Sequence, residues 1–330
     1  MYGGDEGSGR SSTPVVGVQE FMGTCIPIVY MGLYGSLPAG HEPTNADGPW
    51  ADSCQTCSLN YFVALNGNTG ALIWAYFPNS GTIEGGATLG PNGTVILEGW
   101  GSNMVALDAQ TGHLRWTAIR SRFPFSQDRN PGLLVLDSGV LVRIAGGGHV
   151  VALNGSSTPV WSSNSTAACL EYNYTTGVVD SDGTCSNTLS SGAGLVFVPN
   201  FGNSTVAALD ELTGKVVWNA QLNSYADTYF DEVDTTLQCS TVAPQFSRVK
   251  TGLADFDALF VRACTTLFIL DAADGSVVQT HHFDGCASYS PGVVTEEGHY
   301  YFLCDSRGAL EAVNYGLEHN DLACELYDRI

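Results

Sequence analysis

The sequence predicts an all-β chain built from one repeated four-stranded unit. Three observations carry this. A phrase made of an apolar strand, an Asp or Asn, a Thr-Gly turn and a second apolar strand ending in Trp occurs in six copies of varying completeness. Successive Asp/Asn anchors lie 42, 46, 56, 61 and 43 residues apart. Glycine is abundant (39 residues), β-branched and aromatic residues are frequent, and long charged helical stretches are missing, which favours strands and turns. A base period near 42–46 residues with loop insertions is the mark of a four-stranded propeller blade, so the fold expected is a single β-propeller of six such blades rather than seven.

The copies are VALNGNTGALIW at 63–74, VALDAQTGHLRW at 105–116, VALNGSSTPVW at 151–161, AALDELTGKVVW at 207–218, FILDAADGSVVQ at 268–279 and EAVNYGLEHNDL at 311–322. Their anchors are Asn66, Asp108, Asn154, Asp210, Asp271 and Asn314. Each anchor's short side chain suits a turn, because it accepts hydrogen bonds from backbone N–H groups just ahead. Gly70, Gly112, Gly214 and Gly275 then supply a residue that tolerates positive φ. Trp74, Trp116, Trp161 and Trp218 recur where a large flat ring would wedge one blade against the next. The third copy lacks Thr-Gly and is one residue shorter, the fifth has Gln279 in place of Trp, and the sixth keeps only its first half.

Two further strand-like runs precede each phrase. They are TPVVGV and IPIVYMGLYG in the first unit, TIEGGATL and TVILEGW in the second, TLSSGAG and LVFVPNF in the fourth, and SYSPGVV and YYFLC in the sixth. The expected blades are about 13–78, 79–120, 130–163, 184–222, 239–284 and 286–330, with insertions at 37–60, 162–186 and 221–247 and a flexible arm at 1–12. The chain then starts on an innermost strand near Thr13 and ends on an outermost one near Tyr327. No blade is shared between the two ends, so closure must come from packing, a disulfide or the arm.

These phrases resemble the tryptophan-docking motif of the quinoprotein, or PQQ-like, β-propeller family. Ala208, Asp210, Thr213, Gly214, Lys215 and Trp218 match its fuller form, and the first two copies match nearly as well. The resemblance runs from about residue 13 to 328 and implies the propeller architecture. It does not imply quinone binding, since the motif residues hold blades together away from the axis. The family's dehydrogenases would bring PQQ, a calcium-coordinating Glu/Asn/Asp set, an adjacent-cysteine ring and a Trp platform. No Cys-Cys pair occurs here, and only Trp50 and Trp100 lie off the repeat position. PQQ is therefore not an expected cofactor, and a PQQ- and calcium-dependent oxidoreductase is the alternative reading rather than the leading one.

A chain of 330 residues, 44% apolar and 14% charged, is ample for a large core. Its net charge of −21, with only Lys215 and Lys250 as lysines, repels nucleic acid and anionic membrane surfaces. No run of 18 apolar residues exists, so no membrane span is expected. Ten cysteines suit a disulfide framework in an oxidising compartment. Five N-x-[ST] sequons, at Asn92, Asn154, Asn164, Asn173 and Asn203, point to N-linked glycans and an extracellular, secreted location. The start, MYGGDEGSGRSS, is polar and glycine-rich, so the chain is expected to be a mature form or a segment of a longer precursor.

Cys54 and Cys57 read as a structural disulfide, because a redox pair of this spacing works at a helix N-terminus. Cys239 with Cys264 and Cys286 with Cys304 would each staple a hairpin, and Cys169 with Cys185 brackets a loop. Cys25 and Cys324 remain, and their pairing would close the ring. Connectivity among ten cysteines is not fixed by sequence.

No catalytic residues are nominated: there is no HExxH, no G-x-S-x-G and no P-loop. Asp180 and Asp182 form a fragment of a calcium loop without its later ligands, and Asp231 and Asp234 belong to an acidic, aromatic insertion. Calcium is the one ion these clusters would take, against the plainer readings of an Asp-Gly turn and a solvated loop. His281 and His282 lie on a strand-like run, so their rings should face opposite ways. The function expected is non-catalytic: a binding or assembly module with a protein partner or copies of itself, either a structural subunit of an extracellular coat or filament, or an adaptor or carbohydrate-binding module using the long insertions.

Overall fold

The computed structural model describes residues 14–21, 24–34, 60–77, 83–99, 103–118, 133–145, 149–155, 158–163, 171–173, 178–180, 189–200, 205–222, 244–250, 255–263, 265–283, 292–295, 299–304 and 309–314. Every regular element among them is a strand, and each strand of a repeat pairs antiparallel with its sequence neighbour. The chain divides into two compact units, Met1–Gly146 with Ala152–Val160, and Gly147–Val151 with Trp161–Ile330.

The first unit contains a sheet of β1 (Val15–Phe21), β2 (Thr24–Tyr34), β3 (Asn60–Asn66) and β4 (Leu72–Tyr76), in that order. A second sheet orders β5 (Ile83–Gly90), β6 (Thr94–Gly99), β7 (Asn103–Asp108) and β8 (Leu114–Ala118) the same way. The third sheet is β9 (Leu134–Val135), β10 (Leu141–Ala145), β11 (His149–Leu153) and β12 (Pro159–Ser163), and the division between units passes through its last two strands. Ile28, Tyr30, Phe62, Ala64, Trp74, Val95, Leu97 and Leu107 form the core between the first two sheets. They sit at alternate positions of their strands, as a pleated sheet with one face on its neighbour requires.

The second unit contains a two-stranded hairpin, β13 (Glu171–Asn173) and β14 (Val178–Asp180). It lies inside the expected insertion at 162–186. The strands are only three residues long and carry no alternating apolar pattern, so the usual strand signal is missing. A fourth sheet follows with β15 (Ser190–Gly192), β16 (Leu195–Asn200), β17 (Thr205–Asp210) and β18 (Val216–Gln221). The fifth holds β19 (Gln245–Lys250), β20 (Asp255–Ala263), β21 (Thr266–Asp271) and β22 (Val277–His282). The sixth shows three strands, β23 (Val293–Val294), β24 (His299–Cys304) and β25 (Ala309–Asn314); the fourth strand expected near Tyr327 lies outside the described residues.

Four sheets share an irregularity at one place. The pairing of third and fourth strands shifts between Ala64 and Leu65, Ala106 and Leu107, Ala208 and Leu209, and Ile269 and Leu270. Each shift falls one residue before the Asp or Asn anchor and leaves one extra residue on the fourth strand, a β-bulge that re-aims the side chains beside it. In three of the four, the residue after the extra one is the repeat Trp.

Candidate functional site

The repeated turn is built by its anchor. Asp210 Oδ1 accepts the Thr213 N–H at 2.8 Å and the Thr213 hydroxyl at 2.6 Å, while its carbonyl accepts the Gly214 N–H at 2.8 Å. Asp108 does the same for Thr111 (2.9 Å each) and Gly112 (2.9 Å). Asn66 holds the Asn68 and Thr69 N–H groups at 2.9 and 3.1 Å, and Asp271 holds that of Ala273 at 2.8 Å. Gly70, Gly112, Gly214 and Gly275 close the turns at φ +71, +71, +67 and +76, where a side chain is strained. In the shorter third copy, Asn154 Oδ1 accepts the Thr158 N–H at 2.9 Å instead.

Charge follows from this geometry. Bonds from the Thr213 hydroxyl and N–H hold the Asp210 carboxyl below the usual carboxylate range. Partial burial of Asp108 acts to raise its pKa, but bonds from Arg115, Thr111 and Gln110 outweigh it and the net shift is downward.

Three of these turns, those of Asp108, Asp210 and Asp271, each receive a tryptophan from the preceding sheet. Trp74 Nε1 donates to the Ala109 carbonyl at 3.1 Å, Trp161 to that of Glu211 at 2.9 Å, and Trp218 to that of Ala272 at 2.9 Å. The acceptor is always the residue after the anchor. The ring lies against the turn glycine: a Cβ on Gly112, Gly214 or Gly275 would come within 2.7, 2.4 or 2.5 Å of Trp74, Trp161 or Trp218. The same glycine therefore serves twice, for its φ and for its missing side chain. The Tyr30 hydroxyl shares the Ala109 carbonyl at 3.1 Å. Trp116 is only half-buried and makes no such bond among the described residues; its target copy has no Thr-Gly. Gln279 is exposed.

The fifth and sixth sheets are joined by different side chains. Arg262 of β20 is fully buried, 4.2 Å from the centre of the Phe302 ring and 5.5 Å from that of Phe283. Phe260 stacks on Tyr300 at 5.7 Å with 10° between ring planes. Burial pushes the Tyr300 hydroxyl up to about 12, despite the opposing pull of Arg262 and a Gly292 backbone bond. Sequence reasoning missed Arg262 and the equally buried Arg143. Their only signal is one Arg inside each of the apolar runs VLVRIA and ALFVRA.

The other sequence-nominated residues are dispersed. Asn92 and Asn154 are exposed on turns and Asn173 ends β13; Asn164 and Asn203 lie outside the described residues. Cys304 is buried and disulfide-bonded. Cys25 is an exposed free thiol. This corrects the expected Cys25–Cys324 closure; Cys25 sits at the start of β2, paired with Glu20 of β1. Cys54, Cys57, Cys169, Cys185, Cys239, Cys264, Cys286 and Cys324 lie outside the described residues, as do Asp182, Asp231, Asp234, Trp50 and Trp100. Asp180 closes β14 opposite Glu171. His281 is half-buried, and burial lowers its pKa below the usual value. His282 is exposed, with Nδ1 3.3 and 3.4 Å from the Thr266 and Thr265 hydroxyls. Among the described residues no group of three or more His, Cys, Asp or Glu could hold a metal ion.

The repeated anchor, glycine and tryptophan geometry is that of a PQQ-type repeat, and a family model described as outer membrane protein assembly factor BamB matches residues 60–240, more than half of the chain. The chain belongs to this family. BamB of Moraxella catarrhalis is similar at 17% identity and a TM-score of 0.54, over 79% of this chain and 70% of that one. The quinohemoprotein alcohol dehydrogenase ADHIIG of Pseudomonas putida HK5 is 14% identical over 97% of this chain, with a TM-score of 0.54. That of Comamonas testosteroni is 14% identical over 92%, with a TM-score of 0.56. The chain spans about half the length of these two dehydrogenases, 52% and 51%. No curated protein matches it. At these identities the likeness is one of fold: this BamB-family chain is a β-propeller protein of the PQQ type.

Proposed function

We propose that this chain is a secreted, N-glycosylated β-propeller of six four-stranded blades that works by binding or assembly rather than catalysis. The observation that carries the reading is how the repeat residues are used. Trp74, Trp161 and Trp218 are buried, and each is committed to the carbonyl and glycine of a neighbouring turn. Such a repeat builds a rigid scaffold and leaves recognition to the segments that differ between copies, at 37–60, 162–186 and 221–247. Membership of a family of assembly factors supports a protein partner or a second copy as what those segments meet. A structural subunit of an extracellular coat or filament is the form of this role we favour.

Cross-linking of the natively secreted chain, read by mass spectrometry, tests the reading. Cross-links from the three insertions to one partner chain or to a second copy are expected. A clean monomer at high concentration in size exclusion, with the insertions free of cross-links, overturns it. The dehydrogenases of the same fold make the alternative specific. Dye reduction with an alcohol, dependent on added PQQ and calcium, would establish that alternative instead.

A further inference from the structure

Of the sequons on described residues, one is presented differently from the rest. Asn92 stands at the tip of the turn between β5 and β6, exposed, at φ +57, followed by Gly93 at φ +67. No described residue holds its side-chain amide, whereas the Asn154 amide oxygen is engaged by the Thr158 N–H and Asn173 pairs with Val178 inside the hairpin. Gly139 and Gly155, neither with a side chain, approach the turn at Pro91. The third residue of the sequon is placed the other way. Thr94 is 9% exposed, and its hydroxyl donates to the Pro91 carbonyl at 2.8 Å.

We infer that Asn92 carries an N-linked oligosaccharide and receives it before the β5–β6 turn closes. This rests on the secretory reading above. In the transfer, the Asn92 amide nitrogen forms a bond to C1 of the reducing-end sugar of a polyprenyl-diphosphate-linked oligosaccharide. The C1–O bond to the diphosphate breaks, polyprenyl diphosphate leaves, and the amide proton passes to a base of the transferase. The transferase must engage the sequon hydroxyl, and in the folded turn that hydroxyl is covered and bonded to Pro91. The finished product fits the folded chain, because Asn92 is exposed at a left-handed position that Asn tolerates. Left-handed geometry alone would also select Asn here, so occupancy has to be measured.

The full chain is secreted from a eukaryotic host behind a cleavable leader and released with peptide N-glycosidase in heavy-oxygen water. Label is expected at Asn92, and N92D, which keeps a short residue suited to the left-handed position, should lose one glycan and still be secreted. T94S, which keeps both the sequon and a hydroxyl for Pro91, should retain it. Bare Asn92 with glycans at Asn164 or Asn203 overturns the inference and leaves the secretory reading standing. A chain without any glycan overturns both. Unglycosylated folded chain, incubated with transferase and lipid-linked oligosaccharide, should stay unmodified at Asn92 while the same chain unfolded is modified. Equal transfer to both overturns the order of events.

Discussion

The Arg262 guanidinium lies 4.2 Å from the centre of the Phe302 ring, in the joint between the fifth and sixth sheets. The joint before it is made by Trp218 on Gly275 and the Ala272 carbonyl. At the next step the repeat offers Gln279 instead of Trp, and the buried cation with Phe283, Phe302 and the Phe260–Tyr300 stack fills the position in energetic terms. A desolvated cation–π contact is worth about 2 kcal/mol, and truncating a fully buried long side chain adds a cavity cost. Arg262→Ala should therefore lose about 3 kcal/mol or more, and Arg262→Met, which keeps the stem volume, clearly less. Urea midpoints at unchanged slope measure both. Equal losses would show that the packing of the stem contributes nothing and that the charge over the rings carries the whole effect.

The double role of the turn glycine is separable. Gly70 and Gly275 have nearly the same φ, but a Cβ on Gly70 meets nothing within 4 Å, while on Gly275 it meets Trp218 at 2.5 Å. Gly70→Ala should cost only the left-handed strain, about 1–2 kcal/mol. Gly275→Ala adds a clash with a packed ring and should cost at least about 2 kcal/mol more, since overpacking alone runs to about 1–3 kcal/mol. Thermal unfolding of the pair decides it: equal shifts would mean that the ring moves aside freely.

Replacing tryptophans tests which joints are closed. Trp218→Phe strips the donor from the Ala272 carbonyl, and an unmade buried bond costs about 1–3 kcal/mol. Trp116→Phe trades a half-buried indole without a bonded carbonyl for a smaller ring and should cost less than about 0.5 kcal/mol. Denaturant midpoints report both, and a Trp116 variant as damaged as the Trp218 one would show a docked joint at the third copy.

What the sequence disclosed, and what it withheld, divides by range of interaction. The anchor, the Thr-Gly and the Trp are legible because the turn is made within eight residues and its demands repeat: Asx bonding, positive φ, a flat ring. Even the missing dock of Trp116 is readable once the dock is known to lie on the next copy, since that copy has Asn154-Gly155 without Thr-Gly. Arg262 was not legible, because burial of its cation is decided by rings brought from other strands, and the burial of Arg143 was not legible either. The β13–β14 hairpin was missed for the opposite reason: its three-residue strands are too short to show a period. The sequons were legible as motifs, but the difference between Asn92 and Asn154 is visible only in who holds each amide.

Acid should act on the turns through their carboxylates. Asp210 is held below the usual range by the Thr213 hydroxyl, then by the Thr213 N–H, while in the unfolded chain it titrates near pH 3.9. A folded-state pKa below the unfolded one means that the folded chain favours the carboxylate. Its contribution is present above about pH 4 and is lost as pH falls through the lower folded value. Asn serves as anchor in the first and third copies, so Asp210→Asn keeps an acceptor for the same turn bonds and removes the titration. The variant lacks that contribution at every pH, so it should be modestly less stable than the parent near neutrality and converge with it as pH falls below about 4, the range in which an Asp anchor titrates. Fluorescence-monitored denaturation at stepped pH values measures this. A variant as stable as the parent at pH 7 would show that the turn geometry, rather than the charge, is what the anchor supplies.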